Sequence, residues 1–380
     1  MKSKLGIYIH VPFCVKRCLY CDFCSGIDLD TELVAKYFRA LKEEIALNRH
    51  IAGYYVVDSI FIGGGTPSAV ESGHIDKLLN DIYKWFEIDS NCESTIEVNP
   101  GTIDIPKARD YISSGLNRIS VGVQTLNDHL LKKIGRIHSA AEAEETLSGI
   151  HQAGFLNVSV DLMFNLPGQH LDNVTADIKK IMKYDINHIS YYSLKVEENT
   201  PFHNMLRNNQ IQLASDELER EIYHKIIAML ENKGFNQYEI SNFSLPGYES
   251  RHNMKYWSRD AYLGLGLSSH SFIDHQRFSN TINLDGYIHS LLSDKRLSRS
   301  EAETIQGKDV IWEYLILGLR KTKGIDIEAF KAISGSHFHE YRKILNTLET
   351  KGLIEFDTTG FRLTRLGMDL SNTVFVELLI

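Results

Sequence analysis

The chain has 380 residues, of which 43% are hydrophobic and 24% are charged, a composition typical of a globular protein with two or three domains. Its 41 Lys and Arg residues against 49 Asp and Glu residues give a formal net charge of −8, which argues against a nucleic-acid partner. No apolar run is long enough to cross a bilayer, so we expect at most peripheral membrane contact. The first residues are too polar for a signal peptide, and we therefore expect a cytoplasmic protein.

Six short β-rich segments alternate with helical segments in the first 200 residues. The predicted strands span residues 6–11, 57–62, 94–98, 118–123, 158–163 and 188–193. They are nearly continuous in apolar residues, which is typical of parallel strands buried on both faces. The predicted helices between them span residues 33–45, 74–86, 140–153 and 171–183. Because six strand–helix units are fewer than the eight of a closed barrel, the pattern predicts an α/β fold with a partial (β/α)6 barrel over residues 1–200.

The character of the sequence changes after the sixth predicted strand. Residues 201–300 combine a helix at 215–233 with polar, aromatic-rich loops, which predicts an α+β extension that links the domains and covers the substrate. Residues 301–380 contain two helices followed by a short hairpin, which predicts a small winged-helix-like domain. Residues 331–380 hold six Lys or Arg and six Asp or Glu residues, so an accessory role is favoured over DNA binding.

Four of the five cysteines, Cys14, Cys18, Cys21 and Cys24, lie within eleven residues directly after the first predicted strand. In a reducing compartment this pattern indicates metal ligation rather than disulfide bonds. Loops that follow barrel strands line the ligand-binding face. Three thiolates with the spacing C-x3-C-x2-C can hold three irons of a [4Fe–4S] cube and leave the fourth iron open. A zinc site and a fully ligated cluster are the alternatives.

Other chemically informative residues stand at or near the ends of later predicted strands. Three glycines, residues 63–65, follow the second strand and would let the backbone approach a ligand closely. Asp161 lies within an apolar strand, where an unpartnered acid is costly. It is therefore either a ligand-binding residue or a structural acid with a buried partner.

The cysteines belong to a longer motif around the first predicted strand. It has the form Tyr8-x-His10-x-Pro12-Phe13-Cys14-x3-Cys18-x-Tyr20-Cys21-Asp22-Phe23. This motif resembles that of the radical S-adenosylmethionine (SAM) superfamily, and within it the chain is similar to the branch that contains oxygen-independent coproporphyrinogen III oxidase and the HemW-type haem chaperone. The resemblance implies that Cys14, Cys18 and Cys21 bind a [4Fe–4S] cluster whose open iron is chelated by SAM.

The resemblance also implies a SAM site. Gly64, Gly65 and Thr66 would contact the methionine part of SAM, whereas Tyr8 and the backbone at Tyr20 would contact its amino or adenine portion. An external electron donor such as flavodoxin or ferredoxin would reduce the cluster, so that SAM is cleaved reductively. Four further polar residues would hold the ribose and the methionyl carboxylate, namely Glu97, Gln124, Arg136 and Asp161.

Two departures separate the chain from the coproporphyrinogen oxidases of this branch. Those enzymes carry C-x3-C-x2-C-x-C, but here Phe23 occupies the fourth cysteine position and Cys24 follows it, so we expect Cys24 not to be a ligand. The oxidases also carry a long segment before the cluster loop, for which we expect no room ahead of Cys14. Whether the chain is an enzyme is therefore in doubt.

Several motifs resemble the haem chaperone group instead, at residues 97–102, 192–202 and 238–243. Residues 252–257 match the H-N-x-x-Y-W motif that is associated with haem in that group. The resemblance implies haem contact by His252, Tyr256 and Trp257, although such residues also pack protein cores. Asn165 stands where the group usually has glycine.

Together these features predict a haem chaperone that binds a [4Fe–4S] cluster, SAM and haem and delivers haem to client haemoproteins. The first alternative is the oxidase, which converts two propionates of coproporphyrinogen III to vinyl groups. The second alternative is a radical SAM methyltransferase that acts on haem.

Overall fold

A computed structural model of the chain describes residues 2–379. The six predicted strands are confirmed, and they lie parallel and in chain order within a sheet that has twelve strands among these residues. All seven residues of the fourth strand are buried, as expected for a strand covered on both faces. The six strands are β1 (Ser3–Val11), β2 (Tyr55–Gly64), β3 (Ile88–Val98), β4 (Arg118–Gln124), β5 (Val158–Phe164) and β6 (His188–Ser193).

Helices follow each of the first five strands and confirm the predicted alternation. The predicted helix at 140–153 begins at a capping box, in which Ser139 and Glu142 satisfy each other's backbone N–H groups, and it ends at Gly154 with φ 112°. Two short helices were not predicted, at 105–113 and 128–133. The helices of this part are α1 (Thr31–Leu47), α2 (Ser72–Trp85), α3 (Ile105–Ser113), α4 (Asp128–Lys133), α5 (Ala140–Ala153) and α6 (Leu171–Ile181).

The segment after β6 extends both edges of the sheet, which the sequence did not predict. On one side β8 pairs antiparallel with β6, and on the other β9 pairs parallel with β1. The strands of this segment are β7 (Asn236–Gln237), β8 (Asn242–Ser244), β9 (Tyr262–Leu265), β10 (His270–Ile273), β11 (Gln276–Ser279) and β12 (Glu303–Thr304). Its helices are α7 (Pro201–Arg207), α8 (Asp216–Glu231), α9 (Arg251–Ser258) and α10 (Leu284–Leu292).

Helix α9 packs across the end of the barrel at which the strands begin. Gly6, Ser59 and Glu93 share one level of β1 to β3 through their strand pairing. A Cβ at Gly6 would come within 2.8 Å of the Lys255 side chain on α9, so only glycine permits this approach. The ring of His252 reaches the Ser59 hydroxyl at 2.9 Å. The helix therefore forms a floor under the barrel.

The C-terminal region has a hydrophobic core of its own, formed by buried side chains between residues 311 and 378. Its sheet has the order β13-β15-β14, and helices precede the hairpin of β14 and β15, so the predicted small winged-helix-like region is confirmed. The elements are α11 (Lys308–Gly318), β13 (Ile325–Asp326), α12 (Ile327–Ser334), α13 (Phe338–Thr350), β14 (Ile354–Phe356), β15 (Gly360–Leu363), α14 (Arg365–Asp369) and α15 (Ser371–Glu377).

A larger core joins the barrel to the segment after it, because its buried residues run from Leu5 to Leu291. The domain boundaries at residues 200 and 300 stay a prediction. Of the helices between residues 2 and 379, none is long and apolar enough to cross a membrane.

Candidate functional site

A cavity of about 550 Å³ lies inside the partial barrel, at the carboxyl ends of its strands. This is the end at which barrels of this type bind ligands. The structure brings the predicted cluster and SAM residues together here, with two of the three predicted haem contacts. These residues are Tyr8, Cys14, Cys18, Tyr20, Cys21, Gly64, Gly65, Thr66, Glu97, Gln124, Arg136, Asp161, His252 and Tyr256.

The cysteine loop is anchored at both ends to the barrel. Phe13 and Gly26 form an isolated β-bridge, and the Cys14 N–H donates to the Gly26 carbonyl at 2.9 Å. The His10 ring bonds to the Cys24 carbonyl at 2.8 Å, so a side chain of β1 holds the far part of the loop. The loop conformation is therefore fixed by backbone contacts.

Hydrogen-bond donors point at two of the three predicted ligand sulfurs. The Thr66 hydroxyl lies 3.6 Å from the Cys14 Sγ, and the Arg136 guanidinium lies 3.6 Å from the Cys18 Sγ. Hydrogen bonds to the ligating sulfurs are one of the means by which a protein tunes an iron–sulfur cluster. Burial raises the pKa of the Cys21 thiol, which lacks a comparable charged donor.

The cysteines fit a cluster better than a single metal ion. All five are free, and among residues 2–379 no three His, Cys, Asp or Glu side chains are grouped so as to hold one ion. A four-iron cube places each cysteine on a different iron and does not need its ligands to meet at one point. Cys24 lies outside the cavity lining, with its Sγ 3.9 Å from the Ile282 carbonyl. The residues present therefore fit a cube with three cysteine ligands.

The glycine-rich end of β2 packs directly against β1. A Cβ at Gly64, whose φ is 105°, would come within 2.5 Å of the His10 ring. The Gly65 N–H donates to the Val11 carbonyl at 2.9 Å. Contact between the strands is thus a second reason for glycine at this position, beyond the predicted approach of a ligand.

Two half-buried carboxyl groups, those of Glu97 and Asp161, line the cavity. Burial, together with the nearby charge of Asp161, raises the pKa of Glu97 to about 8. Burial also raises the pKa of Asp161, although Ser190 and Ser120 counteract this through hydrogen bonds. The Ser120 hydroxyl lies 3.0 and 3.1 Å from the two Asp161 oxygens. Both acids can accept hydrogen bonds from a polar ligand in the cavity.

Arg136 and the end of β4 form the wall next to the cysteines. Arg136 donates to the Asn99 amide oxygen at 2.6 Å and to the Gly122 carbonyl. The pairing of β4 with β5 shifts between Gly122 and Gln124, and Gln124 has φ 66°, which is unusual for a residue with a side chain. This irregularity ends the strand and coincides with the lining position of Gln124.

The predicted haem residues have different locations. His252 and Tyr256 line the floor of the cavity, where His252 Nε2 lies 2.9 Å from the Tyr256 hydroxyl and its Nδ1 bonds to Ser59. Burial lowers the pKa of His252 to about 3, so the ring is neutral. Either nitrogen would have to give up its present partner to bind iron. Trp257 lies outside the cavity lining, with its ring 4.6 Å from the Arg320 guanidinium.

Arg118 is one of the cavity residues that the sequence analysis did not identify. Its side chain is only 2% exposed, yet it contributes to the cavity lining. The sequence contains one indication of this residue: Arg118 stands at the start of a predicted apolar strand. A cation is as unusual there as Asp161 is in its own apolar strand.

Known proteins resemble the chain over its whole length. The pattern of the Radical SAM superfamily matches residues 8–181, and that of the HemN C-terminal domain matches residues 305–370. The chain is 33% identical to the haem chaperone HemW of Lactococcus lactis, over 100% of this chain and 98% of that protein. It is 36% identical to HemW of Bacillus subtilis, over 99% of this chain and 98% of that protein.

The solved structure of the radical SAM enzyme coproporphyrinogen III oxidase (HemN) from Escherichia coli has the same fold. The two match with a TM-score of 0.85 at 22% identity, over 99% of this chain and 90% of that chain. Fold, cavity and full-length sequence similarity thus agree. The chain belongs to the radical SAM superfamily and, within it, to the family of the HemW haem chaperones.

Proposed function

We propose that the chain is a haem chaperone that binds a [4Fe–4S] cluster, SAM and haem, and delivers haem to client haemoproteins. The observation that carries this proposal is the similarity to two haem chaperones over 98% of their lengths. The proposed compartment is the cytoplasm, and the proposed reductant is a one-electron donor of the flavodoxin or ferredoxin type.

The cavity supports this proposal through the residues that it brings together. When bound, a [4Fe–4S] cluster supplies one-electron chemistry and an iron that can take an external ligand. Cys14, Cys18 and Cys21 would supply its thiolates. Arg136 would compensate the negative charge of the SAM carboxylate. Glu97 would accept hydrogen bonds from the polar groups of SAM.

A cysteine substitution tests the cluster site. In Cys18→Ser, we expect the visible absorbance of the reconstituted cluster to be lost while the far-UV circular dichroism is retained, because serine is a poor iron ligand and the loop is held by backbone bonds. Cys24→Ser is the matched control from the same loop and should keep the absorbance. A cluster band that survives in Cys18→Ser, or disappears in Cys24→Ser, would contradict the assignment.

The chaperone and its two enzymatic alternatives give different products. The reconstituted, reduced protein is incubated with SAM under nitrogen, together with either haem or coproporphyrinogen III. A saturable Soret band without turnover, and transfer of that haem to an apo-haemoprotein, is the expected result. Protoporphyrinogen IX would indicate the oxidase, and consumption of SAM with loss of haem would indicate the methyltransferase.

A further inference from the structure

Arg118 is a buried cation without a carboxylate partner. Its Nε has no hydrogen-bond partner, and the side chain takes part in none of the ion pairs formed within residues 2–379. Two other buried cationic side chains have carboxylate partners, since Lys255 lies 2.7 Å from Asp58 and Arg259 lies 3.1 Å from Glu313. A charge buried in this way is unfavourable unless a ligand compensates it.

The acids near Arg118 form no ion pair with it among residues 2–379, although they feel its charge. Burial, with the Arg118 charge as a further cause, lowers the pKa values of His188 and His252, so both rings are neutral. Burial raises the pKa of Glu97 to about 8 despite the opposing effect of the Arg118 charge, so Glu97 is mostly protonated at neutral pH. The Arg118 charge also lowers the pKa of Asp161, which burial raises, but the hydrogen bonds of the Asp161 carboxyl group come from serine hydroxyls.

Two arginines line the cavity at different depths. Arg136 contacts the Cys18 sulfur and the Gly122 carbonyl near the end of β4. Arg118 stands four residues before Gly122 on β4, so the two Cα atoms are about 13 Å apart at the rise of a β-strand. It therefore lies towards the floor, where its charge also acts on His252. The cavity thus offers one cation near the cysteines and a second one near the residues of the haem-type motif.

We propose that Arg118 binds a carboxylate at the floor of the cavity, and that this carboxylate is a propionate of the bound tetrapyrrole. This inference rests on the proposed function, which supplies the tetrapyrrole. A guanidinium binds a carboxylate through two parallel N–H···O bonds, and haem carries two propionates on flexible arms. SAM is the other source of a carboxylate, but Arg136 is the cation next to the cysteines, where SAM is expected.

Ligands with and without the carboxylate test this assignment. Haem and haem dimethyl ester are titrated by their Soret bands, and SAM and 5′-methylthioadenosine are titrated by calorimetry, against the cluster-loaded full chain. We expect the wild type to bind haem about 10- to 100-fold more tightly than the ester. Arg118→Met should bind haem and its ester with similar affinity, and it should still bind SAM more tightly than 5′-methylthioadenosine. Arg136→Met, the matched control, should show the reverse pattern.

Each other outcome is decisive. If Arg118→Met keeps its preference for haem over the ester, the inference is wrong. If it loses the preference for SAM instead, the floor carboxylate belongs to SAM and the tetrapyrrole assignment is wrong. A wild type that shows no saturable haem binding overturns the proposed function itself, before any variant is compared.

A stability measurement separates ligand binding from a structural role. Because Arg118 has no carboxylate partner without ligand, Arg118→Met should unfold in urea at the same or a higher concentration than the ligand-free wild type. Arg118→Lys should retain part of the preference for haem, since it keeps the charge but not the planar fork. A marked loss of stability in ligand-free Arg118→Met would show a structural partner and overturn the inference.

Discussion

Glu97 and Asp161 place two carboxyl groups in a cavity wall that is otherwise built from apolar strands. A carboxylate that is shielded from water needs hydrogen-bond donors, and among residues 2–379 Glu97 receives only the Gly64 N–H, at 3.2 Å. Its pKa therefore rises to about 8, and the ligand-free site stores a proton at neutral pH. A ligand that brings an ammonium group or hydroxyl donors would favour the ionised form, so binding and proton release should be coupled.

The proton that Glu97 keeps in the folded state predicts how the free energy of unfolding depends on pH. The folded pKa of about 8 lies above the ordinary value of 4.5, so the folded state keeps a proton that the unfolded state loses between these values. Ligand-free stability should fall as the pH rises through this window, by about 3 kcal/mol from pH 5 to pH 8. Glu97→Gln cannot titrate and should lack this part of the slope. Urea unfolding at several pH values measures both proteins.

An exposed acid provides the comparison for this experiment. Glu145 on α5 is solvent-exposed, so Glu145→Gln should keep the pH slope of the wild type. Equal slopes in the wild type and in Glu97→Gln would show that Glu97 is already ionised in the ligand-free protein.

Helix α9 is held in place by charges that come from neighbouring strands. Glu93 on β3 accepts from the N–H groups of Arg251 and His252, each at 3.0 Å, and so caps the start of the helix. Lys255 in its middle pairs with Asp58 on β2 at 2.7 Å. The position of the cavity floor thus depends on polar contacts as well as on packing.

Removing the Glu93 cap should weaken the floor. Glu93→Ala leaves two N–H groups at the helix start without acceptors, so we expect the free energy of unfolding to fall by about 2 kcal/mol and haem affinity to fall with it. Urea unfolding and a Soret titration measure the two effects. Asp89→Ala on the same strand removes an ion pair with the exposed Lys4 and the acceptor of the Asn91 N–H, both away from the helix, and should change stability by about 1 kcal/mol or less. Similar losses in both variants would contradict the capping role.

The sequence predicted those elements whose periodicity is strong, and it missed those defined by tertiary contacts. The apolar runs of β1 to β6 were identifiable because both faces of these strands are buried. Strand β9 has four residues, including Gly264, and becomes a strand through its pairing with β1 and β10. Helix α9 is short and polar, and its polar residues point at the barrel. Trp257 was predicted to contact haem because of the H-N-x-x-Y-W motif; its ring lies 4.6 Å from the Arg320 guanidinium and outside the cavity lining, and haem contact stays a prediction.

Asn165 shows that a residue other than the expected glycine can be compatible with the fold. The resemblance to the haem chaperone group predicts glycine at this position, and the φ of Asn165 is 61°, a conformation that asparagine tolerates better than most residues. Its side chain donates to Glu219 at 2.9 Å and accepts from the Ala214 N–H. The substitution therefore preserves the turn and adds contacts to the segment before α8.

The large core of the barrel and the core of the C-terminal region are joined by an ionic junction. Glu313 on α11 of the C-terminal region pairs with Arg259, which ends α9, and with Arg277 on β11. These arginines also lie over the ring of Phe272, so charge and aromatic packing coincide. The junction thus couples the floor helix to the C-terminal region.

Loss of the Glu313 carboxylate should separate the two parts. In Glu313→Ala, Arg259 is left buried without a partner, and we expect destabilisation of about 2 kcal/mol, less than for a fully buried pair because Arg277 is one-third exposed. Urea unfolding and limited proteolysis between residues 293 and 310 measure this effect. Glu355→Ala, in the exposed pair with Arg362, should behave like the wild type. Unchanged protease resistance in Glu313→Ala would show that apolar contacts alone join the two parts.

The placement of Trp257 gives the protein an internal optical probe. Of the three tryptophans, Trp85 ends a helix at the surface under Arg49 and Lys84, and Trp312 bonds within the C-terminal region to Phe375. Trp257 alone directly follows a cavity residue, Tyr256. In the double variant Trp85→Phe and Trp312→Phe, Trp257 is the remaining indole. Haem that binds in the cavity should quench its fluorescence. The rates of haem binding and release could then be measured by stopped-flow fluorescence without an added label.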